Sequence, residues 1–170
     1  NPFPEEVYCL AATYSTTALL LEIPSAIKGV YIMTPEIKAL VEWYESLSRD
    51  SLATISNYYT SDCYFKDPFN EVRSRDVITS IFIEMFEKLD SPHFIIDEVI
   101  CDENKAFMTW RFNFSWRGKS MVINGGSHLR VSSDGLVNYH RDYWDAAEEL
   151  YEKIPVLGWF LRRIKNMAKA

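Results

Sequence analysis

The chain has 170 residues, of which 48% are hydrophobic and 15% aromatic, and its formal net charge at pH 7 is −6. This length suits one domain with a sizeable core, and the composition excludes a disordered chain. The negative charge argues against nucleic-acid binding, because that function needs clustered Lys and Arg to neutralise phosphates. Cys9, Cys63 and Cys101 are far apart and form no CxxC pair. This pattern favours free thiols in a reducing, cytoplasmic compartment over disulfides or a zinc site.

We interpret residues 1–33 as an N-terminal extension, in part non-native sequence, ahead of a single domain at 34–170. The uncharged run Val7–Leu21 is shorter than the roughly 18 apolar residues that a membrane span needs. Acidic residues flank this run and no Lys or Arg precedes it, which argues against a signal peptide. Thr34 and Pro35 instead predict the N-cap and first position of a helix.

Apolar spacing and turn residues divide the first half of the domain into helices and one short strand. Asp50 and Ser74 are predicted N-caps. Pro68 ends the strand because proline cannot donate to a β-ladder, and 69–73 is predicted to be a connection. The predicted elements are helices at 35–48, 51–59 and 76–89 and a strand at 63–67.

A run of antiparallel strands is predicted next, at about 94–101, 106–116, 120–131 and 135–145. Helices followed by such a run define an α+β fold in which the helices cover one face of a strongly bent sheet. Beyond Asp145 the chain is predicted to be helical to Glu152, to break at 155–158 and to end in a short cationic helix. That helix could lie on a membrane surface, and we prefer packing on its own domain or on a dimer partner.

The strand at 106–116 alternates between aromatic and polar side chains, as a half-buried strand does. Its aromatic side, with Trp110 and Phe112, is predicted to face the core. Arg111 and Asn113 are therefore predicted to face outward.

The turn signal Asp134-Gly135 sets the register of the last two strands. With this dipeptide as a two-residue loop, Ser133 pairs with Leu136. Counting back along both arms places Leu129 opposite His140 and Ser127 opposite Asp142. The same register separates His128 from His140 on opposite faces, so no metal site is predicted.

His140, Asp142 and Trp144 lie two residues apart and therefore share one face of the sheet. An ionised carboxylate in apolar surroundings must be paired, hydrogen-bonded or protonated. Asp142 is therefore either an acid or base with a shifted pKa, or half of a buried pair with Ser127 or tyrosines. His140 is either its proton-transfer partner or a satisfied core histidine. Asp67, at a strand end, is either a general base or a cap of the turn that follows it.

At Asp67 and at His140–Asp145 the sequence resembles the nuclear transport factor 2-like superfamily. This group includes ketosteroid isomerases, limonene epoxide hydrolases and polyketide cyclases of the SnoaL type. The resemblance covers about Pro35 to Asp145. It implies a cone-shaped α+β barrel with a mainly antiparallel sheet, a pocket between sheet and helices, and a homodimer formed through the outer sheet face.

The segment Cys63–Phe69 resembles the part of ketosteroid isomerases that carries the general base, at Asp67 here. The oxyanion-hole positions of those isomerases correspond to Trp43, with Tyr44 adjacent, and to Ser127. These residues do not preserve the pair of strong donors that steroid isomerisation uses.

The segment Arg141–Asp145 resembles a stretch of the limonene epoxide hydrolases in which the residue matching Asp142 is catalytic. Those enzymes also use an Arg and a second Asp on a neighbouring strand. Arg111 and Asn113 are the nearest candidates here, and they lack the second acid.

We predict cofactor-independent acid–base chemistry on a small apolar molecule: isomerisation, cyclisation, dehydration or hydrolysis. Asp142 is the principal acid or base, His140 assists it, and Asp67 is a second carboxylate at the pocket mouth. The alternative is a binding module without catalysis, since function belongs to sites rather than folds. The predicted ligand-contacting residues are Trp43, Tyr44, Trp110, Phe112, Phe114, Ser127, Leu129 and Trp144.

Overall fold

The computed structural model describes residues 33–167. The first two predicted helices end earlier than expected, and the second of them is a 3₁₀ helix. The helices are α1 (Pro35–Glu45), a 3₁₀ helix (Ser51–Asn57), α2 (Arg75–Lys88), α3 (Ala146–Glu149), a 3₁₀ turn (Tyr151–Lys153) and α4 (Pro155–Met167).

Six strands form one sheet in the order β2-β1-β6-β5-β4-β3. Its neighbouring strands are antiparallel except β1 and β6, which are parallel. The predicted α+β class with a mainly antiparallel sheet is therefore confirmed. The strands are β1 (Tyr59–Lys66), β2 (Glu71–Arg73), β3 (Asp90–Asp102), β4 (Lys105–Trp116), β5 (Lys119–Val131) and β6 (Val137–Tyr143).

Two predictions around β1 are wrong. The strand begins at Tyr59 instead of Cys63, and its register with β6 shifts between Tyr59 and Tyr64. The predicted connection at 69–73 contains β2, whose Arg73 pairs with Tyr64. A bulge bends the strand that contains it, so β1 can follow the curvature of the sheet.

The predicted pairing of β5 with β6 is confirmed: Leu129 lies opposite His140, and Ser127 lies opposite Asp142. This register places His128 on the face opposite to His140.

The loop between β5 and β6 is not the predicted two-residue turn, since Val131 pairs with Val137 rather than Ser133 with Leu136. A type I′ turn needs positive φ at both central positions. Gly135 has φ +78°, but the φ of Asp134 is not positive. A register shift between Arg130 and Val131 restores, at Arg130 and Leu129, the pairing that the two-residue turn would have produced.

The core lies between the inner sheet face and the helices α1, α2 and the first 3₁₀ helix. Tyr59, Phe65, Ile78 and Leu129 are among the side chains with the smallest exposed fraction. The predicted alternation of β4 is confirmed: its aromatic side is buried, while Arg111 faces outward and binds Asp97 with its Nη2 at 2.7 Å from Oδ1.

Cys63 and Cys101 are free thiols, as predicted, and both are buried. Cys9 lies outside the described residues. Burial, followed by the nearby charge of Asp62, raises the pKa of the Cys63 thiol to about 12. A thiol with such a pKa stays protonated at neutral pH and is therefore a poor nucleophile.

The predicted break at 155–158 does not occur, because Pro155 is the first residue of α4 and the helix continues through Gly158. Proline is favoured at this first position, where its missing N–H costs no hydrogen bond. Lys165 of α4 binds Glu148, with Nζ 3.0 Å from Oε2. Within 33–167, no helix is long and apolar enough to cross a membrane. The predictions for the N-terminal extension fall on residues 1–32, which are not described.

Candidate active site

A buried polar cluster lies on the inner face of the sheet. Its residues come from five different elements, so that only the folded chain assembles it. They are Tyr44 of α1, Tyr59 of β1, Trp110 of β4, Ser127 of β5, and His140 and Asp142 of β6.

Asp142 is held through one oxygen. Its Oδ1 accepts a hydrogen bond from Ser127 Oγ at 2.5 Å and lies 2.7 Å from His140 Nε2. Ser127 Oγ in turn accepts a hydrogen bond from Trp110 Nε1 at 2.9 Å. The second oxygen, Oδ2, has no hydrogen-bond donor among the described residues. One oxygen of Asp142 therefore fixes the side chain, and the other can accept a further hydrogen bond.

Two tyrosines bind the opposite edge of the imidazole. Tyr59 Oη lies 2.8 Å from His140 Nδ1, and Tyr44 Oη lies 3.1 Å from the same atom. The two phenols also contact each other. Burial, followed by the charge of Asp142, raises the pKa of Tyr44 well above its ordinary value. Burial, followed by Tyr44, does the same to the pKa of Tyr59, so both phenols remain protonated donors.

Counting donors assigns the protonation of the cluster. With a neutral imidazole protonated at Nε2, one tyrosine donates to Nδ1 of His140, the other donates to the first, and His140 donates to Asp142. All of these donors then have an acceptor. An imidazolium would add a donor at Nδ1 and leave one tyrosine O–H without an acceptor among the described residues. The neutral imidazole, protonated at Nε2, is the form that gives every buried donor of the cluster an acceptor.

Beside this cluster is a cavity of about 550 Å³ between the sheet and α2. Asp142 and Trp110 belong to the polar cluster and also line the cavity. Its walls are mostly aromatic and aliphatic, as in small-molecule sites. The aromatic walls include Phe94, Trp110, Phe112, Phe114, Trp116 and Trp144.

The structure separates the predicted ligand-contacting residues into two groups. Trp110, Phe112, Phe114 and Trp144 line the cavity, as do Asp67 and Asp142. The others are buried and are not among the lining residues; they are Trp43, Tyr44, Ser127, Leu129 and, of the predicted catalytic residues, His140.

Tyr44 and Trp43 have different roles in α1. Tyr44 reaches the polar cluster, while Trp43 stacks on Tyr58 at 4.8 Å between ring centroids and donates from Nε1 to the carbonyl of Ser51. The donor that α1 presents to this site is therefore the tyrosine.

Asp67 lines the cavity, and its carboxylate accepts hydrogen bonds from the loop that follows it. Oδ1 accepts from the backbone N–H of Phe69 at 2.7 Å and of Asn70 at 2.6 Å. The Asn70 side-chain amide donates to both carboxylate oxygens. This is the turn cap that was one of the two interpretations of Asp67, and its role as a base stays a prediction.

Tyr59 was not predicted as a site residue. Its position fell at the end of a predicted helix, so the sequence pattern gave it no direction toward His140. The signal that could have identified it is the hydrogen-bonding need of His140, a buried residue with two ring nitrogens.

The face on which Arg111 and Asn113 lie excludes them from the cavity, in agreement with the predicted alternation of β4. The Arg and second Asp of the limonene epoxide hydrolases thus have no counterparts at these positions. Residues 33–167 also contain no group of three or more His, Cys, Asp or Glu side chains that could hold a metal ion.

The family model for the SnoaL-like domain matches residues 40–140, and the chain belongs to this family. A search of curated proteins found no match.

Solved structures with the ketosteroid isomerase-like, or nuclear transport factor 2-like, fold are similar to this chain. A hypothetical protein with this fold from Catenulispora acidiphila, in complex with trimethylamine, has 14% identity and a TM-score of 0.58 over 69% of this chain and 92% of that one. An epoxide hydrolase from M. tuberculosis, similar to limonene epoxide hydrolase, has 13% identity and a TM-score of 0.60 over 75% and 96%. A protein of unknown function from Burkholderia pseudomallei has 16% identity and a TM-score of 0.61 over 68% and 95%. Identities this low support the fold alone, and they confirm the predicted cone-shaped α+β fold. The predicted superfamily is confirmed by the match to the SnoaL-like family model together with this fold.

Proposed function

We propose that this protein catalyses an acid–base reaction on a small molecule, with Asp142 as the group that takes up and returns the proton. The observation that carries the proposal is the position of Asp142, held by Ser127 and His140 through one oxygen while it lines an apolar cavity. A fixed carboxylate in such surroundings is a suitable general base, because it is positioned before the substrate arrives.

The buried cluster favours isomerisation or cyclisation among the predicted reactions. Tyr44 and Tyr59 are 2% and 0% exposed, so the chain of hydrogen bonds behind Asp142 ends in the core and offers no path to solvent. A proton accepted by Asp142 can therefore leave only through the cavity, to another atom of the bound molecule or to solvent that enters there. In this scheme His140 and Ser127 are positioning residues.

The experiment is proton exchange into a simple carbon acid, which requires no knowledge of the natural substrate. 2-Tetralone in D₂O loses the acidic protons next to its carbonyl when a base removes them, and NMR measures their replacement by deuterium. We expect the protein-dependent exchange rate to fall about 100-fold or more in Asp142→Asn, the lower end of what a general base contributes. The amide oxygen of Asn can still accept from Ser127 and His140, so the fold should persist.

Asp97→Asn is the matched control, because it also removes one carboxylate but lies on the outer face against Arg111. It should exchange 2-tetralone at the wild-type rate. Binding of 2-tetralone without exchange in the wild type, or equal exchange in Asp142→Asn, would contradict catalysis by Asp142. The binding-module alternative would then explain the site.

We also propose that two copies of the chain associate through the outer sheet face. Phe107 and Tyr143 on this face are 40% and 45% exposed. The guanidinium groups of Arg130 and Arg141 lie 4.7 Å from the ring centroids of Tyr139 and Tyr143. Aromatic residues and arginine are enriched in protein interfaces.

Sedimentation velocity of the wild type and Phe107→Glu tests this dimer. We expect a dimer for the wild type and a monomer for the variant, because a carboxylate at an apolar interface is desolvated without a partner. Ser133→Glu adds the same charge in the loop between β5 and β6 and should remain dimeric. A monomeric wild type would refute the proposed dimer.

A further inference from the structure

We propose that the ligand of the cavity is a compact organic cation, such as an amine or quaternary ammonium ion with an apolar body. This inference rests on the proposed function for the choice of site and adds the class of molecule that the site takes.

The charges around the cavity are the first argument. The charged groups among its described lining residues are Asp67, Glu84, Asp142 and Lys88. Lys88 is paired with Glu84, with Nζ 2.6 Å from Oε2. This pairing leaves two carboxylates, Asp67 and Asp142, without a cationic partner there, and the side chain of Asp142 is 17% exposed. A cavity with these charges favours a positive ligand.

Desolvation of Asp142 is the second argument. A neutral apolar ligand would displace water from Oδ2 and offer no donor or charge in return, which is costly for a carboxylate. The neutral imidazole of His140 cannot supply the missing charge. A cation next to Oδ2 would replace the lost hydration with an ion pair inside the cavity.

The aromatic walls are the third argument. Ring faces attract cations through their quadrupole, and aromatic cages recognise ammonium groups in this way. The cavity combines Trp110 and Phe112, each packed against Phe94 with ring centroids 5.6 Å and 4.6 Å apart, with the carboxylate of Asp142. Rings and carboxylate act on the same ligand charge, while the apolar body of the ligand fills the remaining volume.

A positive nitrogen would also assist the proposed chemistry. Removal of a proton from a carbon leaves an electron pair on that carbon, and an adjacent cationic nitrogen stabilises this pair. The proton moves to Asp142 and is returned to another atom of the ligand, so no oxidant or second reactant is required.

Two probes of the same shape test the inference. Phenyltrimethylammonium carries a positive charge where tert-butylbenzene is neutral, and tryptophan fluorescence at pH 7 follows the binding of each. We expect the cation to bind at least about tenfold more tightly, in the range that combined cation–π and charge contacts provide. Equal binding of both probes, or tighter binding of tert-butylbenzene, would overturn the inference.

Variants locate the effect. Asp142→Asn should remove most of the preference for the cation, whereas Asp97→Asn lowers the negative charge of the protein equally and should retain it. Near-UV circular dichroism verifies that both variants are folded. A preference unchanged in Asp142→Asn would refute the role of this carboxylate, and the comparison of the two probes in the wild type stands without any variant.

The two proposals fail in different ways. Asp142-dependent exchange of 2-tetralone without a preference for the cation would refute the ligand class and leave the proposed catalysis intact. A preference for the cation without any proton exchange would refute catalysis and leave the ligand class intact.

Discussion

The two faces of the sheet use aromatic residues in opposite ways. On the outer face, Arg130 lies over Tyr139 and Arg141 over Tyr143, so the rings already contact cations of the protein. On the inner face, the rings surround a cavity to which Asp142 contributes a carboxylate. The outer face thus resembles a surface for a protein partner, and the inner face resembles a site for a small molecule.

Alternation along the strands produces this difference from adjacent residues. In β6, Arg141 and Tyr143 face outward, while His140 and Asp142 face the core. A shift of one residue in register would exchange the two sets. The register shift between Arg130 and Val131 therefore decides which side chains of β6 face the core, because it lies between the loop and His140.

Adjacent glycines of β5 provide the strongest test of this comparison. A Cβ at Gly125 would lie 2.7 Å from Trp110 Cζ2, inside the core, whereas a Cβ at Gly126 would lie 2.7 Å from Phe107 Cζ on the outer face. Trp110 is 5% exposed and Phe107 40%. We expect Gly125→Ala to lower the free energy of unfolding by about 2 kcal/mol, as overpacking of a core does. The Cβ at Gly126 would also lie 3.0 Å from the carbonyl oxygen of Met108. Gly126→Ala should nevertheless cost less, because Phe107, on the outer face, has more room to shift than the buried Trp110.

Urea unfolding and binding of phenyltrimethylammonium measure the two glycine variants. Displacement of Trp110 should also weaken binding about tenfold in Gly125→Ala, since this ring is a wall of the cavity and contributes cation–π attraction. Equal effects of the two substitutions on stability and binding would contradict the claim that the inner face holds the ligand and the outer face does not.

The elements that could be predicted from the sequence are those set by a strong periodic pattern. The alternating aromatics of β4 correctly place Arg111 outside, and the register of β5 with β6 is correct at Ser127 and Asp142. The register survives an incorrect turn because the shift between Arg130 and Val131 compensates for the longer loop. A pattern that repeats along a whole strand thus outweighs one local turn signal.

The parts that could not be predicted depend on contacts between distant segments. Tyr59 approaches His140 only because β1 pairs in parallel with β6, and β1 itself was predicted to begin four residues later. The hydrogen bonds from Asn70 to the carboxylate of Asp67 depend on the conformation of one short loop. Sequence patterns indicate which residues share a face, but they do not indicate which hydrogen bonds those residues make.

The smallest expected effect concerns the phenols of the inner face at alkaline pH. Because burial raises the pKa of Tyr44 in the folded state, the unfolded chain, with a phenol pKa of about 10, loses this proton first. The contribution is therefore complete below about pH 10 and declines as pH rises further, up to the folded-state pKa. At pH 11 the buried phenol should lower the free energy of unfolding by about 1.4 kcal/mol relative to pH 8.

Tyr44→Phe removes this titration, so its loss of stability between pH 8 and pH 11 should be about 1.4 kcal/mol smaller than that of the wild type in urea unfolding. At pH 8 the variant should itself be less stable by about 1 kcal/mol, the usual net value of one hydrogen bond. Tyr143→Phe is the control on the outer face, where the phenol is 45% exposed, and it should follow the wild-type curve. If Tyr44→Phe and Tyr143→Phe gave the same pH dependence, the hydroxyl of Tyr44 would not be enclosed as the structure has it. The hydrogen-bond arrangement that makes His140 neutral would then lack the Tyr44 donor. The argument that His140 provides no positive charge for Asp142, and that the cavity therefore favours a cation, would be weakened.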